Sequence, residues 1–230
     1  MIIGINASML DEIHFAKENE PLKRETHGAF EFLFYEFSGH TLIVSVCGTG
    51  KVSAAANTQT LILKYNPDLM LNMGTAGAAS FEVKNKDIVV ATSAVQHDFD
   101  VSAFGYGKNE LVELGKVYLE CDTHFVETAK KIIERDSLRA HFGVVCTGDH
   151  LILTREQREG LIENFNGYAG EMEGGAVGEV CALNKVPYAL LKGISDGDSE
   201  GENANEEFRS NIGSVAEILS DLLLKMLEEI

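Results

Sequence analysis

Runs of apolar residues with the length of a strand recur along the chain, and several of them end in glycine and small polar residues. These runs are apolar throughout rather than alternating, which is typical of strands that are covered on both faces. Phe30–Phe37 differs, because it looks like an antiparallel strand that would make the sheet mixed. The predicted buried strands are Met1–Asn6, Thr41–Cys47, Asp68–Asn72, Asp87–Ala94, Gly143–Cys146 and Tyr188–Ile194.

Segments with a helical period separate these strands. They predict helices over Lys51–Lys64, from a cap at Thr123, over Glu173–Asn184 and from about Asn205 to Glu229. The alternation of strands and helices predicts an α/β fold, a three-layer α/β/α sandwich with a central mixed β-sheet. At 230 residues we expect one domain over residues 1–230, because this length buries a sufficient core.

Net charge and cysteine placement narrow the possible functions. The net charge is −17, with 36 acidic residues against 19 Lys plus Arg, which argues against nucleic acid and anionic membranes as partners. No apolar run approaches the length that spans a bilayer. The four cysteines are far apart and form no metal or redox motif, so we expect a reducing, cytoplasmic compartment.

Two glycine-rich stretches suggest nucleotide binding. Gly48–Lys51 is not a phosphate loop, because Ser45 and Val52 stand where that motif needs Gly and Ser or Thr. Ser53 also replaces the third Gly of the dinucleotide fingerprint. Gly74–Gly77 is better placed, since small residues after a buried strand let backbone N–H groups face a ligand.

His97 and Asp98 are a possible pair of metal ligands. Neighbouring residues on an extended segment point to opposite sides, and a metal site needs three or four ligands that converge. We therefore favour a hydrogen-bonded loop at this position.

Acidic residues follow several predicted strands. Asp196 comes after Tyr188–Ile194, and Glu173 precedes a helix that starts with small residues. Ligands of open α/β sheets bind outside the carboxyl ends of the strands, so we expect such acids to share one crevice. There, one carboxylate can activate water while another acid protonates a glycosidic leaving group. The other acids of this group are Glu12, Glu171, Asp149 and Asp198.

Short motifs occur in a specific order along nearly the whole chain. They are Ile3–Ile5 with Met9 and Glu12, Gly48–Val52 with Ala54–Ala56, Asn72–Gly77, Lys86–Val90, Asp100–Tyr106, Gly148–Asp149, Glu171–Glu173 and Ile194–Asp196. In this order they resemble the 5′-methylthioadenosine/S-adenosylhomocysteine nucleosidases of the nucleoside phosphorylase superfamily. The resemblance implies a nucleoside phosphorylase-like fold.

The resemblance also implies an activity. It implies hydrolysis of the N-glycosidic bond of 5′-substituted adenosines, with a small-molecule adenine nucleoside as partner. It further implies a homodimer and no metal or organic cofactor.

Residue roles follow from the same resemblance. Glu12 would be the general base that activates water, and Asp196, supported by Ser195, would protonate N7 of the leaving adenine. Glu173 would hold the ribose hydroxyls, with Met172 packing on the nucleoside. The other residues implied at the substrate are Met9, Thr75, Ala76, Gly77, Val101, Leu151, Ile152 and Lys192, with Phe104 reaching into the 5′-substituent pocket of the neighbouring subunit.

Four positions depart from the pattern of the family. Lys192 stands where the nucleosidases usually have Arg; it keeps the charge and loses the planar fork. Leu151 stands where an aromatic residue commonly stacks on adenine. Thr49 and Asn205 stand where the family often has apolar groups around the 5′ substituent, which predicts a more polar pocket for that substituent. The hypotheses for the substrate are therefore methylthioadenosine, S-adenosylhomocysteine, 5′-deoxyadenosine and aminofutalosine.

Two alternatives to a hydrolase are a purine nucleoside phosphorylase and a non-catalytic nucleoside-binding protein. A phosphorylase needs fixed cations around phosphate, and Asn72–Thr75 offers none. A binding protein would not need both the general base Glu12 and the general acid Asp196. The hydrolase is therefore the preferred hypothesis.

Overall fold

A mixed sheet with helices on both faces accounts for the described part of the chain, which in this computed structural model is residues 1–197 and 202–230, without the side chains of 202–204. The strands are β1 Ile2–Ala7, β2 Lys23–His27, β3 Phe30–Phe37, β4 His40–Val46, β5 Leu69–Ala78, β6 Ile88–Gln96, β7 Tyr118–Glu120, β8 Ala140–Thr147, β9 Gly167–Glu171 and β10 Tyr188–Asp196. The helices are α1 His14–Glu18, α2 Lys51–Tyr65, α3 Thr123–Asp136, α4 Arg155–Phe165, α5 Gly174–Asn184 and α6 Glu202–Met226.

The strand order is β10-β6-β8-β9-β5-β1-β4-β3-β2, with β7 paired to β6. β1 pairs in parallel with both β4 and β5, whereas β3 is antiparallel to β2 and β4. The prediction of a mixed sheet is therefore confirmed. β10 also pairs with β5, so that β10, β6, β8, β9 and β5 form a closed ring of strands. Closure was not predicted, because the period of a sequence is local and pairing joins distant segments.

Two hydrophobic layers lie on opposite faces of the sheet, because neighbouring residues of a strand point to opposite sides. Leu71 of β5 belongs to the cluster that contains Leu219 of α6, which also includes residues of α3. Met70, the residue before it, belongs to the cluster that contains Leu61 of α2 and Cys181 of α5. Strands covered on both sides explain the continuous apolar runs.

The strands β5 and β10 are longer than predicted. β5 continues to Ala78 because β10 pairs with it as far as Gly77 and β9 pairs with Gly77 and Ala78. Gly74–Gly77 is therefore part of a strand, not of a loop after it. β10 ends at Asp196, so this acid is the last residue of its strand.

Some elements and one cap differ from the prediction. Asp122, not Thr123, caps α3, because its carboxylate accepts a hydrogen bond from the backbone N of Phe125. α6 begins earlier and ends earlier than predicted. α4 was missed although it begins with a Thr154–Gln157 capping box, a recognisable signal. The short strands β2, β7 and β9 were also missed. No helix in the described ranges is long and apolar enough to cross a membrane.

Candidate active site

A cavity of about 270 Å³ opens at the carboxyl ends of β1, β5 and β10. Its wall brings together residues that are distant in the chain, because parallel strands end at the same edge of the sheet. The predicted site residues on this wall are Met9, Glu12, Thr75, Ala76, Gly77, Leu151, Ile152, Met172, Glu173, Ser195 and Asp196. Thr49 and Asn205, which the sequence connects with the tail of the substrate, are also on the wall.

Three predicted residues are not part of this wall. Val101 and Phe104 lie in the segment after β6, and the side chain of Phe104 is 83% exposed. Lys192 is buried behind a residue of the wall, because its Nζ contacts Glu171, which lines the cavity. Asp149 lies outside the wall as well, and Asp198 falls outside the described residues.

Several residues of the wall were not predicted. They are Ser8, His150, Leu153, Gly170 and Phe208. Ser8 follows β1 directly and His150 follows the Gly148–Asp149 motif, so both stand next to recognised signals. Phe208 lies in α6 and also lines the cavity, and the helical spacing of an apolar residue does not tell a core contact from a cavity contact.

Among the acids of the cavity wall, Glu12 accepts the most hydrogen bonds from the described residues. It is 3% exposed, and it ends a short 3₁₀ turn over Leu10–Glu12. Its Oε2 accepts from the N and Oγ of Ser8 at 2.9 and 2.8 Å and from Met9 N at 3.3 Å. Its Oε1 accepts from the N and Oγ1 of Thr75 at 2.8 and 2.6 Å. Donors from two elements fix the carboxylate, which removes the penalty of an unpaired buried acid.

Gly74 allows this close approach of Glu12 to β5. A Cβ atom built at Gly74 would lie 2.7 Å from Oε1 and 2.8 Å from Cδ of Glu12. Any side chain at this position would displace the carboxylate from the amide of Thr75. The glycine is therefore needed for contact and not for an unusual backbone angle.

Asp196, the last residue of β10, is another acid of the cavity wall. Its Oδ1 accepts a hydrogen bond from the hydroxyl of Ser195 at 2.7 Å. Burial raises the pKa of Asp196 above its usual range, and this effect exceeds the opposing effects of Ser195 and Arg158. The group is consequently easier to keep protonated than an exposed aspartic acid.

Glu173 stands at the start of α5 and faces the start of α2. Its Oε1 accepts a hydrogen bond from Gly50 N at 2.8 Å. Burial and then the neighbouring charge of Glu171 raise the pKa of Glu173 to about 7. This carboxyl is therefore easier to protonate than an exposed glutamic acid.

Glu171 is compensated by a buried cation. Its Oε2 lies 2.8 Å from Nζ of Lys192, and both side chains are 2% exposed. The same carboxylate accepts from the hydroxyl of Thr147 and from the backbone N of Gly174, at the start of α5. Burial disfavours both charges, but the attraction outweighs it: the pKa of Glu171 is lowered and that of Lys192 is raised.

The arrangement separates two kinds of carboxyl group in one small cavity. Glu12 and Glu171 are held as acceptors by several donors, whereas Glu173 and Asp196 accept from few of the described residues and have raised pKa values. Such a separation is what paired acid and base chemistry requires. Within residues 1–197 and 202–230, no group of three or more His, Cys, Asp or Glu side chains is arranged to hold a metal ion.

Comparison with known proteins identifies the class. A model of the phosphorylase superfamily matches residues 2–228, so the chain belongs to that superfamily. It is 32% identical to the 5′-methylthioadenosine/S-adenosylhomocysteine nucleosidase of Staphylococcus carnosus over 231 residues, covering 100% of both chains. The family resemblance stated from the motifs is therefore confirmed.

Two solved structures extend the comparison to the fold. The S-adenosylhomocysteine nucleosidase of Streptococcus pyogenes in complex with 5-methylthiotubericidin has a TM-score of 0.94 at 27% identity, over 100% of this chain and 97% of that one. The futalosine hydrolase of Helicobacter pylori has a TM-score of 0.92 at 28% identity, over 100% and 98%. These similarities confirm the nucleoside phosphorylase-like fold.

Removing the buried cation Lys192 should lower the stability of the fold far more than removing a cation at the surface. Lys192→Met leaves Glu171 buried without its counter-ion, and we expect the free energy of unfolding to fall by about 3–5 kcal/mol. Lys225→Met is the matched control, because Lys225 pairs with Asp136 at 2.6 Å on the surface, with side chains 46% and 22% exposed. Its expected loss is about 0–1 kcal/mol. Urea denaturation measures both, and equal losses would contradict the assigned role of the buried pair.

Proposed function

We propose that this protein hydrolyses the N-glycosidic bond of 5′-substituted adenosines and releases adenine and the sugar. The observation that carries this proposal is the meeting of Glu12, Glu173 and Asp196 in one cavity at the carboxyl ends of the strands. The family to which the chain belongs supports it, because its relatives are nucleosidases by name. The reaction needs an acid that protonates the leaving adenine, a group that activates water and an acceptor for hydrogen bonds from the ribose hydroxyls.

Asp196 is the proposed acid. Breaking the bond leaves negative charge on the purine, and a proton delivered to N7 removes it. The raised pKa of Asp196, caused by burial, favours the protonated form that this step requires. Ser195 supports the orientation of the carboxyl group through its hydroxyl at 2.7 Å.

Glu12 is the proposed general base for the attacking water. Positive charge develops on the sugar in the transition state, so carboxylates near the ribose stabilise it most when the bond is breaking. The donors from Ser8 and Thr75 hold the Glu12 carboxylate at the cavity wall. Glu173, on the same wall, is the proposed acceptor for the ribose hydroxyls.

The remaining wall residues have proposed roles in binding. Ile152 is the proposed contact with the adenine edge through its backbone, with Leu151 beside the base. Met9, Met172, Thr75, Ala76 and Gly77 are the proposed contacts with the sugar and the water. Lys192 is proposed to act through Glu171 rather than on the substrate, since its Nζ pairs with that carboxylate beneath the wall.

Hydrolysis is favoured over phosphorolysis by the charge of the cavity. None of the described residues on its wall is Lys or Arg, whereas four are Asp or Glu. The amide and hydroxyl of Thr75 donate to Glu12, so they are already used and do not face a free anion. A phosphate ion would be repelled by this wall and would find no fixed cation.

An adenine-release assay tests the proposal. A panel of methylthioadenosine, S-adenosylhomocysteine, 5′-deoxyadenosine and aminofutalosine should yield free adenine in buffer without phosphate, at a rate that phosphate does not change. The polar wall residues Thr49 and Asn205 favour the substrates with polar 5′ groups within this panel. Release that appears only with phosphate would instead support a phosphorylase, and no release would support a binding protein.

Asp196→Asn should slow the reaction and leave binding intact. The amide cannot deliver the proton, so we expect kcat to fall by about 10²–10⁴ while the affinity for the nucleoside changes little. Asp11→Asn is the control, because Asp11 lies next to Glu12 in the chain and its side chain is 59% exposed. Kinetics and calorimetric binding measure the two quantities. A kcat near that of the unchanged protein would remove Asp196 from the mechanism.

We also propose that the chain forms a homodimer and that residues 1–230 fold as one domain. Exposed apolar side chains support the dimer, among them Val52 at 81%, Phe104 at 83% and Leu183 at 52% exposure. In this proposal Phe104 of the partner subunit covers the 5′ end of the cavity. The cytoplasmic location expected from the sequence stays a prediction.

Light scattering should give about twice the chain mass of 25.1 kDa. Phe104→Ala should weaken binding of the nucleoside, because it removes the apolar cover from the neighbouring cavity. Leu22→Ala is the control at a side chain of similar exposure, 73%, and should change neither quantity. A fully active monomer would contradict the proposed dimer.

A further inference from the structure

Three charged residues outside the cavity wall form a compact cluster, which we call the Asp98 cluster. Its members are Lys51, Asp98 and Asp149, and each comes from a different segment of the chain. Lys51 begins α2, Asp98 follows β6 and Asp149 follows β8. The proposed reaction uses none of the three, although they join the segments that form the cavity.

The contacts of the cluster form a closed circuit. Nζ of Lys51 lies 2.7 Å from Oδ1 of Asp98, and Oδ2 of Asp98 accepts from the backbone N of Asp149 at 2.8 Å. Oδ1 of Asp149 in turn accepts from the backbone N of Lys51 at 2.8 Å. The side chains of Lys51 and Asp98 are only 18% and 20% exposed, so water screens this pair less than an ordinary surface pair.

Residues that neighbour the cluster in the chain reach the cavity wall at two places. Gly50, the residue before Lys51, donates its N–H to Glu173 at 2.8 Å. Asp149 directly precedes His150, Leu151 and Ile152, which line the wall. One side of the cluster therefore leads to the proposed ribose acceptor, and the other leads to the proposed base contacts.

Local geometry leaves little freedom in this connection. Gly50 has a φ angle of +91°, a conformation that residues with a side chain rarely adopt. A Cβ atom there would lie 3.1 Å from Oδ1 of Asp149. Burial opposes the charge of Asp98, but the hydrogen bonds from Lys51 and Asp149 outweigh it and hold the pKa of Asp98 below its usual range.

We propose that Asp98 is a positioning residue that sets the distance between Glu173 and the segment His150–Ile152. Its carboxylate bridges the start of α2 and the loop after β8, so the ribose acceptor and the base contacts are held as one unit. The inference rests on the proposed function, because it takes a nucleoside to span both parts. Adenine alone would contact only one of them.

This difference between ligands provides the test. Dissociation constants for adenine and for S-adenosylhomocysteine are measured by calorimetry in an Asp196→Asn background, where turnover is slow. We expect Asp98→Ala to weaken the nucleoside about tenfold and adenine less than about twofold. Asp98→Asn retains an acceptor for the amide of Asp149 but loses the charge, so its effect should be intermediate.

A remote aspartate supplies the matched control. Asp136 accepts from Nζ of Lys225 at 2.6 Å and is 22% exposed, close to the values for Asp98, and it lies at the contact of α3 with α6. Asp136→Ala should lower the melting temperature without changing the ratio of the two dissociation constants. Lys51→Met should reproduce the ratio change of Asp98→Ala, and the double variant should add little to either.

The outcomes separate this inference from the proposed function. If the unchanged protein releases adenine and Asp98→Ala alters the affinity ratio no more than Asp136→Ala does, the positioning role is wrong. If the unchanged protein releases no adenine but Asp98→Ala still weakens the nucleoside selectively, hydrolysis is wrong and the positioning role stands. If the unchanged protein releases no adenine, and neither the Asp196→Asn background nor any variant made in it binds a nucleoside, both proposals are wrong.

Discussion

The placement of four carboxyl groups, three buried and Asp196 partly buried, around one small cavity is the constraint on which the rest of the site depends. Each buried acid must be neutralised, hydrogen-bonded or paired. Glu12 has donors from Ser8 and Thr75, and Glu171 has the buried ammonium group of Lys192. Glu173 and Asp196 accept fewer hydrogen bonds from the described residues, and burial raises the pKa of both, with the charge of Glu171 adding to the effect on Glu173. The pKa of Glu171 is lowered whereas those of Glu173 and Asp196 are raised, so carboxyl groups with different proton affinities line one cavity.

The sheet makes this crowding possible. β1, β5 and β10 are neighbours and run in the same direction, so their carboxyl ends deliver Ser8, Thr75 and Asp196 to one place. Closure of the strand ring adds β9, which ends at Glu171 and leads directly into Glu173 and α5. The small residue Gly74 then lets Glu12 lie against β5. The chemistry thus depends on strand register at least as much as on the identity of the acids.

Much of this was predictable because the informative signals are local. The antiparallel strand Phe30–Phe37 was predicted with its observed bounds. The helix predicted from Lys51 ended at Lys64, one residue before the observed end of α2. The wall positions of Glu12, Glu173 and Asp196 were expected from acids near strand ends and from the ordered motifs. For Lys192 the sequence showed a replacement of Arg, but not that its ammonium group would be paired beneath the wall.

The remainder depends on contacts between distant segments. β9 was missed because its five residues are recognisable as a strand only through pairing with β5 and β8. The link from Asp98 to Asp149 spans 51 positions, and no spacing rule connects them. Phe208 has a helical period whether it faces the core or the cavity. Tertiary pairing decides such cases, and periodicity does not report it.

In the proposed mechanism, a water molecule that is activated at Glu12 replaces adenine at the anomeric carbon. The most direct test of this mechanism is a reaction in water labelled with heavy oxygen, with phosphate present, followed by mass spectrometry of the released sugar. Hydrolysis predicts free adenine and a free sugar without phosphate, whose anomeric oxygen carries the label in samples quenched before the free sugar exchanges that oxygen with the solvent. A sugar 1-phosphate without the label would contradict it.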